Sequence, residues 1–354
     1  MDIYVIDGLN GICDIVSTFQ SVIWNVQYYD KNDFQIVAPA TEENMQALQM
    51  GKFLARADDI SGGTFKNVMV IESIKLDLDT ENGWLLTVTG KGLKNIVGQR
   101  VVWHQTNLTG YAEASIRQVI TDNIINPIDS ERAIANFILD ESKGYTESIE
   151  MQLLGENIAD WLVDVCKNYG YGWDVYIDNG KYVFTLYKGT DRTYSQQTVP
   201  PVVFSPEYDN LLSSSYQYSK ALYKNAAVIG GEGEGSEQRF AYVGTASGLD
   251  RFEQYVDGSS VSSNGEIITL ETYIQMLEEY GQTQLIQTAN TKNFSGEIEP
   301  NGMYQINVDY FLGDLVQIEN EKGIKAEPRI IEIIYCEDVN GLSVVPTFSE
   351  WEVE

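Results

Sequence analysis

Hydrophobic and polar positions alternate over most of this chain, which is typical of antiparallel β-strands with one buried face. The clearest cases are SIKLDLDTENGWLLTVTGKG at 73–92 and WDVYIDNGKYVFTLYKG at 173–189. Both contain Asn-Gly, a dipeptide that accepts positive φ and closes two-residue hairpins. The pattern therefore predicts two hairpins, each with one dry side. Their predicted buried faces hold Trp84, Leu86 and Val88 in the first hairpin and Tyr182, Phe184 and Leu186 in the second.

Asn-Gly recurs along the chain, usually between β-branched and aromatic runs, so most of the chain is predicted to be antiparallel β. The six dipeptides end at Gly11, Gly83, Gly180, Gly265, Gly302 and Gly341.

Helical spacing of apolar residues occurs in three segments. The first is TGYAEASIRQVITDNII at 109–125, with Thr109 as the predicted N-cap. The second, GENIADWLVDVCKNYGYG at 155–172, is predicted to end at Gly170. The third is LETYIQMLEEYGQTQLIQTA at 270–289, which Gly281 could weaken or bend.

The order of these elements predicts an α+β module between strand-rich modules. At 354 residues the chain exceeds the size at which one hydrophobic core usually stops growing, so two or more domains are expected. The polar segment TDRTYSQQTVPP at 190–201 lacks periodicity and is the best linker candidate, and a weaker boundary lies near 100–110.

The excess of acidic residues disfavours some classes of function. The chain has 52 acidic and 23 basic residues, which give a formal charge of −29. Because 43% of its residues are hydrophobic, the chain is nevertheless predicted to fold. Nucleic-acid binding by a basic patch is disfavoured, because affinity for phosphates comes largely from Lys and Arg. No apolar run approaches the roughly 20 residues of a membrane span, and the first residues, MDIYVIDG, predict a strand rather than a signal peptide.

Residues that could bind metal or act as nucleophiles are sparse. The cysteines Cys13, Cys166 and Cys336 are too few and too far apart to predict a disulfide framework or a zinc cluster. The single histidine, His104, excludes a two-histidine metal motif within one chain and is interpreted as structural or exposed. Cys166, Trp161 and Trp173 are predicted to be core residues. No metal and no cofactor is predicted.

The segment AAVIGGEGEG at 226–235 invites three interpretations. It lacks the G-x-G-x-x-G spacing and the following helix of a dinucleotide site, and its carboxylates would repel phosphate. Glu232 and Glu234 could instead flank a sugar bond as a hydrolase pair, because residues i and i+2 of a strand share a face. The third interpretation is that glycine allows another part of the backbone to approach closely.

Three sequence segments occur in the same order as in a family of phage virion proteins that this chain resembles. They are the segment from VVFSPEYD to GGEGEG at 202–235, SGLDRFEQYVD at 247–257, and the predicted strand VDY-x-LGD at 308–314. The helix and hairpin at 155–184 resemble the middle domain of the same family. The chain thus resembles the tail-hub, or baseplate-hub, proteins of long-tailed siphophages and related prophages, over most of its length and more loosely over the first hundred residues.

The resemblance implies a mainly β fold with α+β insertions, in which two antiparallel β-barrel domains resemble tail-tube subunits. Residues 1–105 would form the first barrel, and 201–235 with 292–354 would form the second. Residues 106–200 would be the α+β domain, and 236–291 would be an inserted segment that holds the third helix.

The same resemblance implies a structural, non-enzymatic role at the tail tip of the virion, after assembly in the host cytoplasm. Three copies would form a ring of six barrels that joins the tail tube and distal tail protein to the tip. The implied partners are the homotrimer itself, the distal tail protein, the tape-measure protein and tail-tip or receptor-binding proteins. DNA would pass through without specific binding.

An acidic wall would suit such a channel, because carboxylates repel phosphates within about 8 Å at physiological ionic strength. Glu232, Glu234, Asp309 and Asp314 are the candidates for lumen-facing or interface positions. Ordinary solubility is the alternative explanation of the acidity.

Two other functions stay open on sequence alone. One is a cell-wall hydrolase at the tail tip that uses Glu232 and Glu234, and the other is a carbohydrate-binding β module. Some relatives carry a further C-terminal peptidase or fibre-like region, whereas the given sequence ends at EWEVE shortly after SVVPTF, so enzymatic activity is not expected.

Overall fold

The structure is a computed structural model that describes residues 1–16, 18–80, 83–265, 267–286, 288, 291–299 and 302–349. For residues 79 and 291–297 it describes the backbone alone. Several predictions lie outside these residues: Asn82 and Asn301 of two Asn-Gly turns, residues 287 and 289 of the third helix, and residues 350–354 of the second barrel.

Strands dominate the described residues, as the alternation predicts. In chain order they are β1 (Ile3–Ile6), β2 (Ile12–Ile15), β3 (Ser21–Gln27), β4 (Asp33–Pro39), β5 (Phe53–Arg56), β6 (Ile60–Ser61), β7 (Thr64–Phe65), β8 (Met69–Asp79), β9 (Gly83–Gly92), β10 (Thr106–Tyr111), β11 (Phe137–Leu139), β12 (Ser148–Leu153), β13 (Gly172–Asp178), β14 (Lys181–Tyr187), β15 (Asp191–Arg192), β16 (Val203–Phe204), β17 (Leu211–Ser219), β18 (Ala226–Gly230), β19 (Phe240–Val243), β20 (Glu253–Asp257), β21 (Thr291–Ile298), β22 (Leu315–Glu319), β23 (Lys325–Ala326), β24 (Ile330–Asp338) and β25 (Gly341–Phe348).

Helices are fewer, and two of the four described α-helices lie in the α+β region at 106–200. The α-helices are α1 (Glu42–Ala47), α2 (Ala112–Ile120), α3 (Ile158–Tyr169) and α4 (Leu270–Ile286). A π-helical turn, Thr121–Ile125, extends α2. Short 3₁₀ segments lie at Ala57–Asp59, Leu93–Gln99, Ser130–Arg132, Pro206–Tyr208, Gly235–Glu237 and Gly248–Asp250.

One sheet of 11 strands joins the two ends of the chain. Its order is β17-β21-β25-β24-β3-β4-β9-β8-β5-β1-β2, and every neighbouring pair is antiparallel. The junction is the pairing of β3 with β24, where Trp24 lies opposite Tyr335. The predicted mainly β fold with α+β insertions is confirmed, and the sheet joins β1–β5, β8 and β9 of the first predicted barrel region to β17, β21, β24 and β25 of the second.

The inner face of the main sheet carries its hydrophobic core. Trp24, Ile36 and Val88 are fully buried there, and Phe204 and Phe348 pack against the same cluster. Alternation along the strands produces this face, because every second side chain points inward.

The α+β unit has a core of its own. Trp173 and Cys166 are fully buried and Trp161 nearly so, which confirms the three predicted core residues. β13 and β14 form the predicted hairpin, whose turn residues Asn179 and Gly180 both have positive φ. These strands belong to a five-stranded sheet with the order β11-β14-β13-β7-β6.

The ends of the two helices in this unit test the capping predictions. Gly170 ends α3 in the left-handed conformation, as predicted, and the Asn157 side chain caps its first turn by accepting from Ala159 and Asp160 N–H groups. Thr109 is not an N-cap: it lies within β10, and α2 begins after Tyr111 without a side-chain cap. The pairing of β10 with β12 extends the strand through Thr109 and Gly110.

The third helical prediction is confirmed as α4 from Leu270 to Ile286, and Thr288, the one described residue of 287–289, lies in a turn. The helix packs on a three-stranded sheet with the order β19-β18-β20. β18 therefore lies in this inserted unit, although residues 226–235 are assigned by sequence to the second barrel. The reason is that Ala227 and Ile229 point into the same cluster as Tyr273 and Leu277 of α4.

The predicted linker at 190–201 packs against the second half of the chain. Asp191 and Arg192 pair in parallel with Leu315 and Val316 of β22, and Thr193 is only 1% exposed. β16 adds to the other side of β22, and β23 also pairs with β22. Within the described ranges, no helix is long and apolar enough to cross a membrane.

Candidate interaction surfaces

Glu232 lies at the end of β18, where its carboxylate binds a neighbouring loop. Oε1 accepts a hydrogen bond from Ser262 Oγ at 2.6 Å and from Ser263 N at 2.8 Å, and Oε2 accepts from Ser263 Oγ at 2.5 Å. Arg239 Nη1 lies 3.8 Å from Oε2. The carboxylate therefore holds the inserted unit together, and we call this arrangement the Glu232 latch.

The latch sets the ionisation of Glu232. Burial alone would raise the pKa of this carboxyl, but hydrogen bonds from Ser262 and Ser263 and the charge of Arg239 together hold the pKa below its ordinary value. A general acid of a glycosidase requires a raised pKa instead. The direction of this pKa shift therefore disfavours Glu232 as the general acid that the hydrolase interpretation requires.

Glycine is required in this stretch by close contacts, as the third interpretation predicts. A Cβ at Gly231 would lie 2.4 Å from the Tyr273 hydroxyl oxygen, and a Cβ at Gly233 would lie 2.3 Å from the Glu237 carbonyl oxygen. Gly233 also has φ +100°, which side chains rarely adopt. Glu234 follows in an exposed turn, away from the latch.

The two aspartates of the VDY-x-LGD segment are in different surroundings. Asp314 is 2% exposed: its Oδ2 lies 2.6 Å from Arg192 Nε, and its Oδ1 accepts from Thr190 N at 2.7 Å. Asp309 is half-buried and accepts from Gln305 N at 2.8 Å. The segment forms turns with an isolated bridge rather than the predicted strand, and β22 begins only at Leu315. Asp314 thus fastens the 190–193 segment to β22.

The outer face of the main sheet is a broad polar surface, formed by strands that are far apart in sequence. Register places side chains of neighbouring strands in rows on this face, for example Asn25 with Asp33, and Gln35 with Thr89. We call this surface the polar face. Its members on six strands include Ser21, Asn25, Gln27, Asp33, Gln35, Thr87, Thr89, Lys91, Ser215, Gln217, Glu332, Ser343 and Thr347, with Ile23, Val37, Ile334 and Val345 between them.

Acidic groups on the polar face have partners on the same face. Glu332 accepts from Asn25 Nδ2 and from Thr347 Oγ1, both at 2.7 Å. Asp33 lies 3.6 Å from Lys91 Nζ. Hydroxyl and amide groups are therefore the most numerous among these residues, and the charged ones, Asp33, Lys91 and Glu332, each have a partner on the same face.

The long hairpin of β8 and β9 reaches beyond the core. Leu86 and Val88 are buried as predicted, but Trp84 is 54% exposed, so its predicted burial is wrong. Trp84 lies opposite Leu78, which is 63% exposed. Alternation places both side chains on the apolar face, but the core does not extend to the tip of the hairpin.

His104 and Cys166 are two further residues with side chains that could react or bind metal. His104 is exposed next to the Trp103 ring, one of the two positions predicted for it. Burial raises the pKa of the Cys166 thiol. Across the described residues, no group of three His, Cys, Asp or Glu residues could hold a metal ion.

Three solved structures with similar folds are tail proteins, and two of them come from prophages. The tail protein from Neisseria meningitidis MC58 has a TM-score of 0.59 at 13% identity, over 98% of this chain and 96% of that chain. The prophage MuSo2 43 kDa tail protein from Shewanella oneidensis has a TM-score of 0.56 at 13% identity, over 99% and 98%. The prophage tail protein gp18 from Listeria monocytogenes EGD-e has a TM-score of 0.55 at 13% identity, over 100% and 96%. The fold is therefore that of phage tail proteins.

The family assignment agrees with the fold. The model of the Siphovirus ReqiPepy6 Gp37-like protein family matches residues 2–348, and the chain belongs to that family. The comparison with curated proteins returned no match. The chain is thus a siphovirus-type protein with a tail-protein fold, which confirms the family resemblance inferred from its sequence.

Proposed function

We propose that this chain is the structural hub of a long-tailed phage tail tip, and that three copies form a ring with pseudo-six-fold symmetry. The observation that carries the proposal is the main sheet. This sheet, in a chain with the fold of tail proteins, has a broad polar face. It also has two end strands, β17 and β2, which among the described residues have a strand neighbour on one side only. End strands are where a neighbouring chain can add to a sheet.

A rotational ring requires a different surface on each side of the subunit. β17 and β2 meet this requirement, because they are at opposite ends of one sheet and differ in length and sequence. In the proposed division, residues 1–105 and the strands of 201–225 and 292–354 supply the two tube-like regions. Residues 106–200 form the α+β domain, and the inserted unit starts at β18.

The polar face is the proposed wall of the channel. Most of its named residues carry hydroxyl or amide groups, which offer DNA no cation to bind, and Lys91 is paired with Asp33, so the polymer would slide without strong specific contacts. The remaining negative charge of the chain would repel phosphates over a longer range. Of the predicted acidic positions, Glu234 and the half-buried Asp309 remain candidates for the lumen or an interface, whereas Glu232 and Asp314 act mainly within the chain.

The proposed location is the tip of the virion tail, after assembly in the host cytoplasm. The proposed partners are the distal tail protein, the tape-measure protein and the tail-tip or receptor-binding proteins. The role is structural rather than enzymatic. This proposal is supported by the engaged carboxylate of Glu232 and by the exposed position of Glu234, which together do not form a pair facing a cleft.

Mass and shape test the ring. The purified 39.8 kDa chain should give a trimer, alone or with its tail partners, and a ring in electron micrographs. A chain that stays monomeric with those partners present would contradict the proposal. Incubation with bacterial peptidoglycan discriminates the hydrolase alternative, since a structural hub releases no soluble fragments.

A further inference from the structure

The outer face of the inserted sheet carries exposed aromatic rings. Tyr242 of β19 and Tyr255 of β20 both lie beside Val228 of the central strand β18, and Phe240 lies beside Gly230. Tyr242 is 64% exposed and Tyr255 is 62% exposed. The other face of the same strands packs on α4, so these rings are not needed for the core of the unit.

Gly230 determines how one of these rings lies. A Cβ at Gly230 would be 2.0 Å from the Tyr255 hydroxyl oxygen and 2.8 Å from its Cζ. The ring therefore leans over the glycine and lies along the sheet surface. Two strand spacings separate the backbones of Tyr242 and Tyr255, or about 10 Å, which is comparable with the length of a disaccharide.

Tyr242 also stands at the rim of a cleft of about 640 Å³ between the inserted unit and the α+β unit. Helix α4 contributes Gln275, Glu278 and Gln282 on one side, and Ser148 and Glu150 of β12 lie on the other. The described residues that line the cleft include no lysine or arginine. The cleft thus offers carboxylate, amide and hydroxyl groups beside an exposed ring.

We propose that Tyr242, Tyr255 and the adjoining cleft form a binding site for a neutral oligosaccharide, a site that does not depend on the proposed ring. Aromatic rings can cover the apolar C–H face of a sugar, while carboxylates and amides hydrogen-bond to its hydroxyl groups. The charge of the cleft excludes phosphate-bearing and carboxylate-bearing polymers. A polar cleft with acceptor groups on both walls suits a polyhydroxylated ligand better than an apolar protein surface.

The test is a titration of the full chain with chitotriose and maltotriose, two neutral trisaccharides, and with sialyllactose as the anionic counterpart. Saturation-transfer NMR and calorimetry measure binding. At least one neutral trisaccharide should bind saturably at millimolar concentration, and sialyllactose should not. Tyr242→Ala should weaken that binding about tenfold or more. Tyr242→Phe keeps the ring and should retain the affinity of the original chain.

Tyr194→Ala is the matched control, because Tyr194 is 58% exposed and lies on the 190–201 segment, outside the cleft. Circular dichroism of each variant separates lost binding from lost folding. Three results would overturn the proposal: neither neutral trisaccharide binds, the double variant Tyr242→Ala with Tyr255→Ala binds as the original does, or sialyllactose binds more tightly. If both tyrosines become protected on oligomerisation and no sugar binds, the face is an interface between copies.

Discussion

At the scale of single residues, two of the acidic side chains singled out in the sequence, Glu232 and Asp314, bind partners that are distant in sequence. The Glu232 carboxylate accepts hydrogen bonds from Ser262 and Ser263, which lie on a neighbouring loop. Asp314 forms an ion pair with Arg192. These contacts turn two carboxylates that look like free surface charge in the sequence into structural groups.

Glu232→Gln should loosen the inserted unit, with Glu234→Gln as the exposed control. Charge-assisted hydrogen bonds are worth about 1.5–3 kcal/mol, and partial exposure of Glu232 reduces the expected loss to about 1 kcal/mol. Hydrogen exchange of residues 226–263 measures this loss of local stability. The pKa of Glu232 is depressed in the folded state, so its contribution is present above the ordinary value of 4.5 and is lost as the pH falls through the folded value.

The difference between the original chain and Glu232→Gln should therefore shrink at acidic pH. A difference that stays constant as the pH is lowered would show that the latch acts through packing instead of charge. Ring assembly should survive both substitutions. Its loss would place these glutamates at an interface.

At the scale of elements, α4 depends on contact with the sheet beneath it. Gly281 lies against β18: a Cβ there would be 2.4 Å from Ile229 Cδ1 and 2.6 Å from Cγ1. Helix propensity alone makes this glycine a weak point of the helix, whereas in the structure it permits close packing.

Gly281→Ala should destabilise the chain, although alanine is the better helix former. Helix propensity favours alanine by about 1 kcal/mol, but overpacking costs about 1–3 kcal/mol, so the net loss should be about 1 kcal/mol. Chemical denaturation followed by circular dichroism measures the change. Ile229→Val removes the nearest methyl group and should partly rescue the variant. If the Gly281→Ala variant is more stable than the original chain, helix α4 does not pack this closely on Ile229.

At the scale of the whole molecule, the main sheet combines strands from both ends of the chain into one polar surface. If this surface lines a channel, cations placed on it should retard DNA. Gln35→Lys with Thr89→Lys adds two charges at directly opposed positions of the polar face. Virions with this double variant should assemble normally and release DNA more slowly.

The control is Ile128→Lys with Leu249→Lys, which adds the same charge at side chains that are 87% and 98% exposed outside the main sheet. Equal slowing in both variants would point to net charge alone. Unchanged release in the polar-face variant, with intact tails, would exclude this face as the channel wall.

The sequence by itself determined the local elements of this protein. The β13–β14 hairpin, the end of α3 at Gly170 and the extent of α4 to Ile286 follow from periodicity, turn residues and capping, which act over a few neighbouring residues. Burial of Cys166 follows from the same periodicity. Exceptions such as Trp84 arise because alternation assigns a face to a side chain without setting how far the core extends.

Only the tertiary structure decided how these elements combine. The pairing of β3 with β24 joins residues about three hundred positions apart, and β18 joins α4 instead of the main sheet. The same is true of the partners of Glu232 and Asp314 and of the rows of hydroxyl and amide groups on the polar face. Such contacts depend on which surfaces meet after the chain has folded, and short-range residue preferences do not encode that choice in any single segment.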